Sequence, residues 1–207
     1  MTNKIIYKGA EAEIRISEFL NRVVVEKKRI LKSYRIKEID NNLITSRTKE
    51  EAKLISEARK SGVCVPIIFD VNVPKGILVM QYIQGDRIKD IINDIDENER
   101  RKLCILIGES IAQLHNNGII HGDLTTSNMI FYQEKIYFID FGLGIKSEEV
   151  ESQGVDLHVL MEAFESTHSQ FPKCFSYVMQ GYSNKYRLNV KSVVQKINDI
   201  VKRGRYR

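Results

Sequence analysis

A run of eighteen apolar residues, the length needed to cross a membrane as a helix, occurs nowhere in this sequence. The opening Met1-Thr2-Asn3-Lys4-Ile5-Ile6-Tyr7 lacks the long apolar stretch of a secretory signal. Both absences point to a cytoplasmic protein with no membrane contact. Cysteine is scarce, and Cys64, Cys104 and Cys174 stand far apart with no Cys-x-x-Cys pair. That pattern argues against a disulfide framework, and the three read as small hydrophobes. The four histidines show no zinc spacing. Repeats and low-complexity segments are missing, as are Gly-x-Gly-x-x-Gly and the Walker A sequence.

What is present is an ordinary globular balance. With 207 residues, 43% hydrophobic and 29% charged, the chain can bury a real core as one domain, or one domain built as two small lobes. The net charge is +5, and its distribution is uneven. From Lys191 onward the basic residues are Lys191, Lys196, Lys202, Arg203, Arg205 and Arg207, against the single acid Asp199. Such an end suits RNA phosphates or an acidic partner, and equally plain solvation.

Alternating and β-branched residues predict strands at 3–7 and 13–17, and a third opening at Val23-Val24-Val25 and running to about Leu31. A helix is expected at 48–60, closed by Gly62, and two strands at 66–73 and 76–83. After Gly85 the character changes. Leu103, Leu106, Ile107, Ser110, Ile111 and Leu114 follow the 3.6 period of a helix over 97–116. A hairpin follows, 129–132 and 136–139 around Gln133-Glu134-Lys135, then helices at about 155–167, 170–181 and 190–203. The expected class is α+β and bilobal: a β-rich N-lobe over 1–83 with one main helix, a reduced helical C-lobe over 84–198, and a basic tail over 199–207. The cleft between the lobes is the natural ligand site.

The chemistry concentrates in His121-Gly122-Asp123-Leu124-Thr125-Thr126-Ser127-Asn128 and Asp140-Phe141-Gly142. Phosphoryl transfer needs a cation to neutralise phosphates and a group to orient the attacking oxygen. Magnesium favours carboxylate and amide oxygens, which Asp140 and Asn128 supply from either side of the hairpin. Asp123, on the loop with Asn128, can orient a hydroxyl or water. This is the catalytic-loop and metal-loop pattern of kinases, with Gly122 where ordinary protein kinases carry Arg. His121 reads as a brace for the loop, and His115 as structural.

A lysine for the phosphates of ATP is expected from Val24-Val25-Glu26-Lys27. Alternation puts Val25 under adenine and Lys27 at phosphate, with Lys28 as competitor. Glu51 is the expected ion-pair partner, with Glu50 as rival. Gly9-Ala10-Glu11-Ala12 offers small residues for close backbone approach to phosphates. Gln81, Tyr82 and Ile83 would form the adenine hinge, with Met80 at the back of the pocket. Asp156, in Val155-Asp156-Leu157, resembles the aspartate that braces the catalytic loop in kinase C-lobes.

Lys27-x-Arg29-x-x-Lys32-x-Tyr34-Arg35, Arg47-x-x-x-Glu51-Ala52, the Thr-Thr-Ser catalytic loop, Asp140-Phe141-Gly142-Leu143, Val155-Asp156-Leu157 and the closing Arg203-Gly204-Arg205 together resemble the PRPK family, the small atypical kinase of the KEOPS complex. The resemblance spans the chain, and its register favours Lys27 and Glu51 over their rivals. It implies an ATP- and magnesium-dependent Ser/Thr kinase that autophosphorylates and hydrolyses ATP. It implies a role in threonylcarbamoyladenosine synthesis in tRNAs that read codons beginning with A. It further implies partners: the threonylcarbamoyltransferase subunit at the C-lobe and tail, a small regulatory subunit at the N-lobe, and tRNA near Lys202, Arg203, Arg205 and Arg207. Gln81 departs from the Glu that relatives often carry at the hinge.

Small-molecule kinases of the aminoglycoside or choline type share His-Gly-Asp-x-x-x-x-Asn, but usually need a larger C-lobe than the 67 residues after Asp140 provide. No Ala-Pro-Glu triplet is present, so a peptide-docking activation segment is not expected. RIO-type protein kinases share part of the loop but lack Asp-Phe-Gly-Leu, which sets them apart. A non-catalytic scaffold is disfavoured because Lys27, Glu51, Asp123, Asn128 and Asp140 are all present.

Overall fold

In the N-terminal half, one antiparallel sheet packs against one long helix. The computed structural model describes residues 4–9 and 11–204. Strands β1 (Lys4–Lys8), β2 (Ala12–Phe19), β3 (Arg22–Arg29), β4 (Ile68–Asn72) and β5 (Ile77–Gln81) form one sheet in the order β1-β2-β3-β5-β4, each neighbouring pair antiparallel. Strand β3 is central. Its register with β2 runs without a break from Ala12↔Arg29 to Phe19↔Arg22. Leu20 and Asn21 close this hairpin with φ of 49° and 59°. A left-handed pair is the two-residue turn that matches sheet twist, here made without glycine.

Helix α1 spans Lys37–Lys60, starting well before the expected 48. The extra turns are mostly polar and exposed, so hydropathy does not mark them. Their inner stripe is Asp40, Ile44, Thr48 and Glu51, at helical spacing but largely polar. Asp40 is satisfied by the Lys32 amide at 2.6 Å and Arg35 at 3.2 Å, and the Thr48 hydroxyl donates to the Ile44 carbonyl at 2.7 Å.

The short strand β6 (Asp86–Arg87) and helix α2 (Ile88–Ile91) lead into α3 (Glu97–His115), whose first turn is capped by Asp96 accepting the Glu99 amide at 2.9 Å. Then come β7 (Ile119–Ile120), β8 (Met129–Tyr132), β9 (Lys135–Phe138) and β10 (Ile145–Lys146). The β8–β9 turn is two residues, not the expected three. Lys135 pairs with Tyr132, and Gln133 and Glu134 take φ of 48° and 56°. Strand β10 pairs with β7, a short clamp behind the site that the sequence did not suggest.

Helices α4 (Val150–Thr167), α5 (Cys174–Lys185) and α6 (Val190–Gly204) complete the chain. Helix α4 begins before the expected 155 and α5 after the expected 170, while α6 matches its amphipathic pattern. Residues 199–204 continue α6 as helix. Helices α3 and α5 cross backbone to backbone. A β-carbon on Gly108 would lie 1.9 Å from the Val178 carbonyl oxygen, and one on Gly181 would lie 1.9 Å from that of Ile105. One buried cluster runs from Leu54, Ile55 and Ala58 of α1 through α3, Phe138 and Phe141 to α4 and α5, so both halves share a core beneath the site. No helix among the described residues is long and apolar enough to cross a membrane.

Candidate active site

On β3 the alternation of the strand decides which cation turns inward. Lys27 and Arg29 are buried on one face, and Lys28 is exposed. Lys27 Nζ lies 2.6 Å from Glu51 Oε1 and 2.7 Å from Asp140 Oδ1. Glu51 is nearly fully buried on α1, and its second oxygen receives Arg29 Nη2 at 2.6 Å. Glu50 is exposed and takes the Ser46 hydroxyl instead. The rivals Lys28 and Glu50 therefore lie outside the cluster. Two cations and two carboxylates compensate one another, which a buried charge requires. Burial works against the charge on Lys27, but the Glu51 and Asp140 carboxylates outweigh it and raise the ammonium's pKa. Burial also pushes the Asp140 carboxyl up, yet Lys27 and the Gly142 amide prevail and hold it below the usual carboxylate range.

The catalytic loop is built from backbone hydrogen bonds. Asp156 on α4 accepts the amides of His121 and Gly122, each at 2.9 Å. It also faces His115 Nε2 at 3.2 Å, and His115 Nδ1 meets the Tyr182 hydroxyl of α5 at 3.0 Å. His121 spans the two loops: its Nε2 is 3.0 Å from the Ile139 carbonyl, and its Nδ1 accepts the Asp123 amide at 3.3 Å. It braces the loop, as its position in the sequence suggests. Gly122 takes φ of 81°, and a β-carbon there would sit 2.1 Å from the Leu143 carbonyl oxygen. The loop thus closes onto the segment after Gly142 at a position no side chain can share.

Asn128 donates its amide to the Asp123 carbonyl at 3.0 Å and to Asp123 Oδ2 at 2.9 Å. That fixes the amide and leaves its Oδ1 as a donor for a cation. The Asn128 carbonyl accepts the Ile139 amide at 3.0 Å, which ties the catalytic loop to the metal loop. Asp140, at φ 63°, has Oδ1 engaged by Lys27 and by the Gly142 amide at 3.2 Å, leaving Oδ2. Among the described residues no cluster of three or more His, Cys, Asp or Glu side chains could hold a metal. The residues present fit magnesium, which keeps several waters and binds through one or two protein oxygens plus phosphates. Asp140 and Asn128 could hold it.

Where the sequence led one to expect adenine, Val25 pairs in register with Met80, and Met80 and Ile83 are buried while Tyr82 is exposed. The Gln81 amide donates to the Ile67 carbonyl at 2.7 Å, and its side-chain oxygen accepts the Ile67 amide at 3.3 Å. The Gln81 side chain is thus held by the residue just before β4. In the turn before β2, the Gly9 amide donates to the Ala12 carbonyl at 2.9 Å, and Glu11 pairs with Arg47 at 2.8 Å. Ala10 lies outside the described residues. At the C-terminus Lys202 is exposed and Arg203 is 3.7 Å from Glu151 of α4, which also pairs with Lys196. Arg205 and Arg207 lie outside the described residues.

Two contributors went unassigned in the sequence. Arg29 entered only as one position of the motif Lys27-x-Arg29, with no role assigned, although its i+2 spacing from Lys27 places it on the same strand face. His168, from the end of α4, takes Thr126 Oγ1 at its Nε2 at 2.9 Å and meets Asn93 Oδ1 through Nδ1 at 2.8 Å. No sequence signal marked it.

The RIO domain family profile matches residues 6–194. The chain belongs to the RIO domain family. It groups there with the Bud32 proteins. The KEOPS complex subunit Bud32 of Pyrococcus abyssi is 44% identical over 212 residues, covering 99% of this chain and 96% of that protein. A probable bifunctional tRNA threonylcarbamoyladenosine biosynthesis protein of Methanothermobacter thermautotrophicus is 45% identical over 98% of this chain. This RIO-domain chain spans only 36% of that longer relative. A probable serine/threonine-protein kinase BUD32 homolog of Archaeoglobus fulgidus is 39% identical over 97% of the chain and 95% of that protein. The PRPK resemblance therefore stands. The separation from RIO-type kinases, drawn on Asp-Phe-Gly-Leu, does not, because one family profile takes in this chain.

Solved structures agree on the fold. The ADP/Mg2+-phosphoaspartate complex of Rio2 kinase from Chaetomium thermophilum superposes with a TM-score of 0.67 at 14% identity, over 98% of this chain and 70% of that one. WaaP, in complex with acyl carrier protein, gives 0.69 at 11% identity, over 97% and 85%. The architecture is kinase-like and α+β.

Proposed function

We propose that this RIO-domain chain binds Mg-ATP between its lobes and acts as a Ser/Thr kinase, autophosphorylating in isolation, and as an ATPase within a KEOPS-type complex. The observation that carries the reading is the four-charge cluster of Lys27, Arg29, Glu51 and Asp140, set against a loop that presents Asp123 and Asn128. Lys27 would hold the α- and β-phosphates, with Val25, Met80, Tyr82 and Ile83 around adenine and the turn Gly9 to Ala12 over the phosphates. Asp123, its carboxylate oriented by the Asn128 amide, would position the attacking hydroxyl or water. Magnesium, when bound by Asp140 and Asn128, supplies charge neutralisation at the phosphates.

The full-length match to a KEOPS subunit supports a role in threonylcarbamoyladenosine modification of tRNA. The bifunctional relatives, of which this chain matches a part, support regulation of a threonylcarbamoyltransferase. In this reading the C-lobe and tail meet the transferase, the N-lobe meets a small regulatory subunit, and Lys202, Arg203, Arg205 and Arg207 approach tRNA. The protein would then act in the cytoplasm.

The deciding measurement is phosphate release by the chain alone, with the transferase, and with transferase plus tRNA. A rise confined to the full mixture supports the ATPase role. A flat response with autophosphorylation intact leaves protein phosphorylation as the activity.

A further inference from the structure

We infer that Arg29 is a positioning residue for nucleotide binding: it keeps one oxygen of Glu51 occupied so that Lys27 can turn to phosphate while α1 stays in place. The inference rests on the Mg-ATP reading above and deepens it.

Glu51 stands between two cations of one strand face. Lys27 holds Oε1 and Arg29 holds Oε2, each at 2.6 Å. The carboxylate is almost fully buried, so an unpaired oxygen would be costly. Lys27 already divides its three donors between Glu51 and Asp140. When phosphate takes one of these donors, a carboxylate served by lysine alone would have one buried oxygen without a partner. Arg29 removes that competition. Its guanidinium is permanently charged and planar, suited to a fixed carboxylate. Its stem is pinned as well: the Arg29 amide donates to the Gly76 carbonyl at 2.9 Å, and a β-carbon on Gly76 would lie 3.3 Å from Arg29 Cβ. The Arg29 guanidinium also lies beneath the metal loop, 3.3 Å from where a Gly142 β-carbon would be. It therefore ties the strand to the helix beside that loop while leaving Lys27 as the movable group.

The test is calorimetric binding of a magnesium-bound, non-hydrolysable ATP analogue to the full chain. Arg29→Gln raises the dissociation constant by about ten- to a hundredfold, the loss expected for a hydrogen bond to a charged group. Glu51→Gln does the same. The double variant is less than about twofold worse than Glu51→Gln alone, because both changes remove one interaction. Arg29→Lys, which keeps the charge, stays within about fivefold of wild type in affinity. In turnover, KM for ATP rises more than kcat falls.

Additive effects of the two substitutions would overturn the inference, since Arg29 would then act on nucleotide directly or through packing. Unchanged affinity in Arg29→Gln would also overturn it, as would an Arg29→Lys loss equal to that of Gln. If Arg29→Gln does not fold, the same cycle runs with Arg29→Lys: a smaller cost on the Glu51→Gln background supports the role, and an equal cost overturns it. A wild-type chain that binds no nucleotide overturns the Mg-ATP reading itself, and this role with it.

Discussion

Lys27 and Asp140, 113 residues apart in sequence, meet at 2.7 Å across the cleft between the sheet and the catalytic loops. In the proposed reading this contact joins the lysine that would hold phosphate to the carboxylate that would hold magnesium. Lys27→Ala or Asp140→Ala should reduce ATP turnover by at least about a hundredfold, the scale of losing a preorganised charge at the reacting phosphate. Circular dichroism should show the fold retained. An Asp140→Ala protein hydrolysing ATP at the wild-type rate would refute the assignment of roles.

Asp123 touches the site differently. Its carboxylate accepts the Asn128 amide and makes no contact with Lys27 or Glu51. Asp123→Asn should therefore lower kcat by about 10²- to 10⁴-fold, as removal of a positioned acid–base group does. Affinity for Mg-ATP should stay within about threefold of wild type. Loss of affinity without loss of kcat would place Asp123 in nucleotide binding instead.

Asp156, buried with His115 and His121, holds the amides of His121 and Gly122 and faces His115. Replacing it with Ala strands these donors and should cost about 3 kcal/mol or more in urea unfolding, given the penalty per unsatisfied buried group. Activity should fall with it, because the amides of His121 and Gly122 set the loop. A variant of wild-type stability would show that water replaces the carboxylate.

His168 gives the pH dependence a direction. Burial, with a smaller contribution from Lys89, holds its pKa below the ordinary histidine value. The unfolded chain takes up a proton near pH 6.5, whereas the folded imidazole, paired with Thr126 and Asn93, resists until lower pH. Stability should therefore fall as the pH drops below about 6.5 and level off once the folded form is protonated too. His168→Gln should flatten that slope in melting temperature against pH. An unchanged slope would trace the acid loss to other groups.

Much of this was legible in the sequence, for identifiable reasons. Strand alternation and helical position left Lys28 and Glu50 as rivals of Lys27 and Glu51 until the register of the family motif favoured the latter pair, whereas the paired loops announce their chemistry through residue types alone. Helix α1 was read short because the turns before residue 48 bury only Asp40 and Ile44, too few apolar residues to show a period. The hairpin turns at Leu20-Asn21 and Gln133-Glu134 carry positive φ with no glycine to advertise it. Gly122 could be seen to replace Arg, but the reason, the Leu143 carbonyl standing where a β-carbon would go, is a tertiary contact. His168 is bound to Thr126 from 42 positions away, a pairing no local pattern encodes.

The glycines of α3 and α5 leave no side chain between the two helices at Gly108 and Gly181. Packed side chains can yield by changing rotamer, but touching backbones cannot. Helix α5 is thereby locked to α3 like a bolted strut, and Tyr182, one residue past Gly181, carries that fixed position to His115 and on to Asp156. The catalytic loop takes its bearing from a seam with no slack in it.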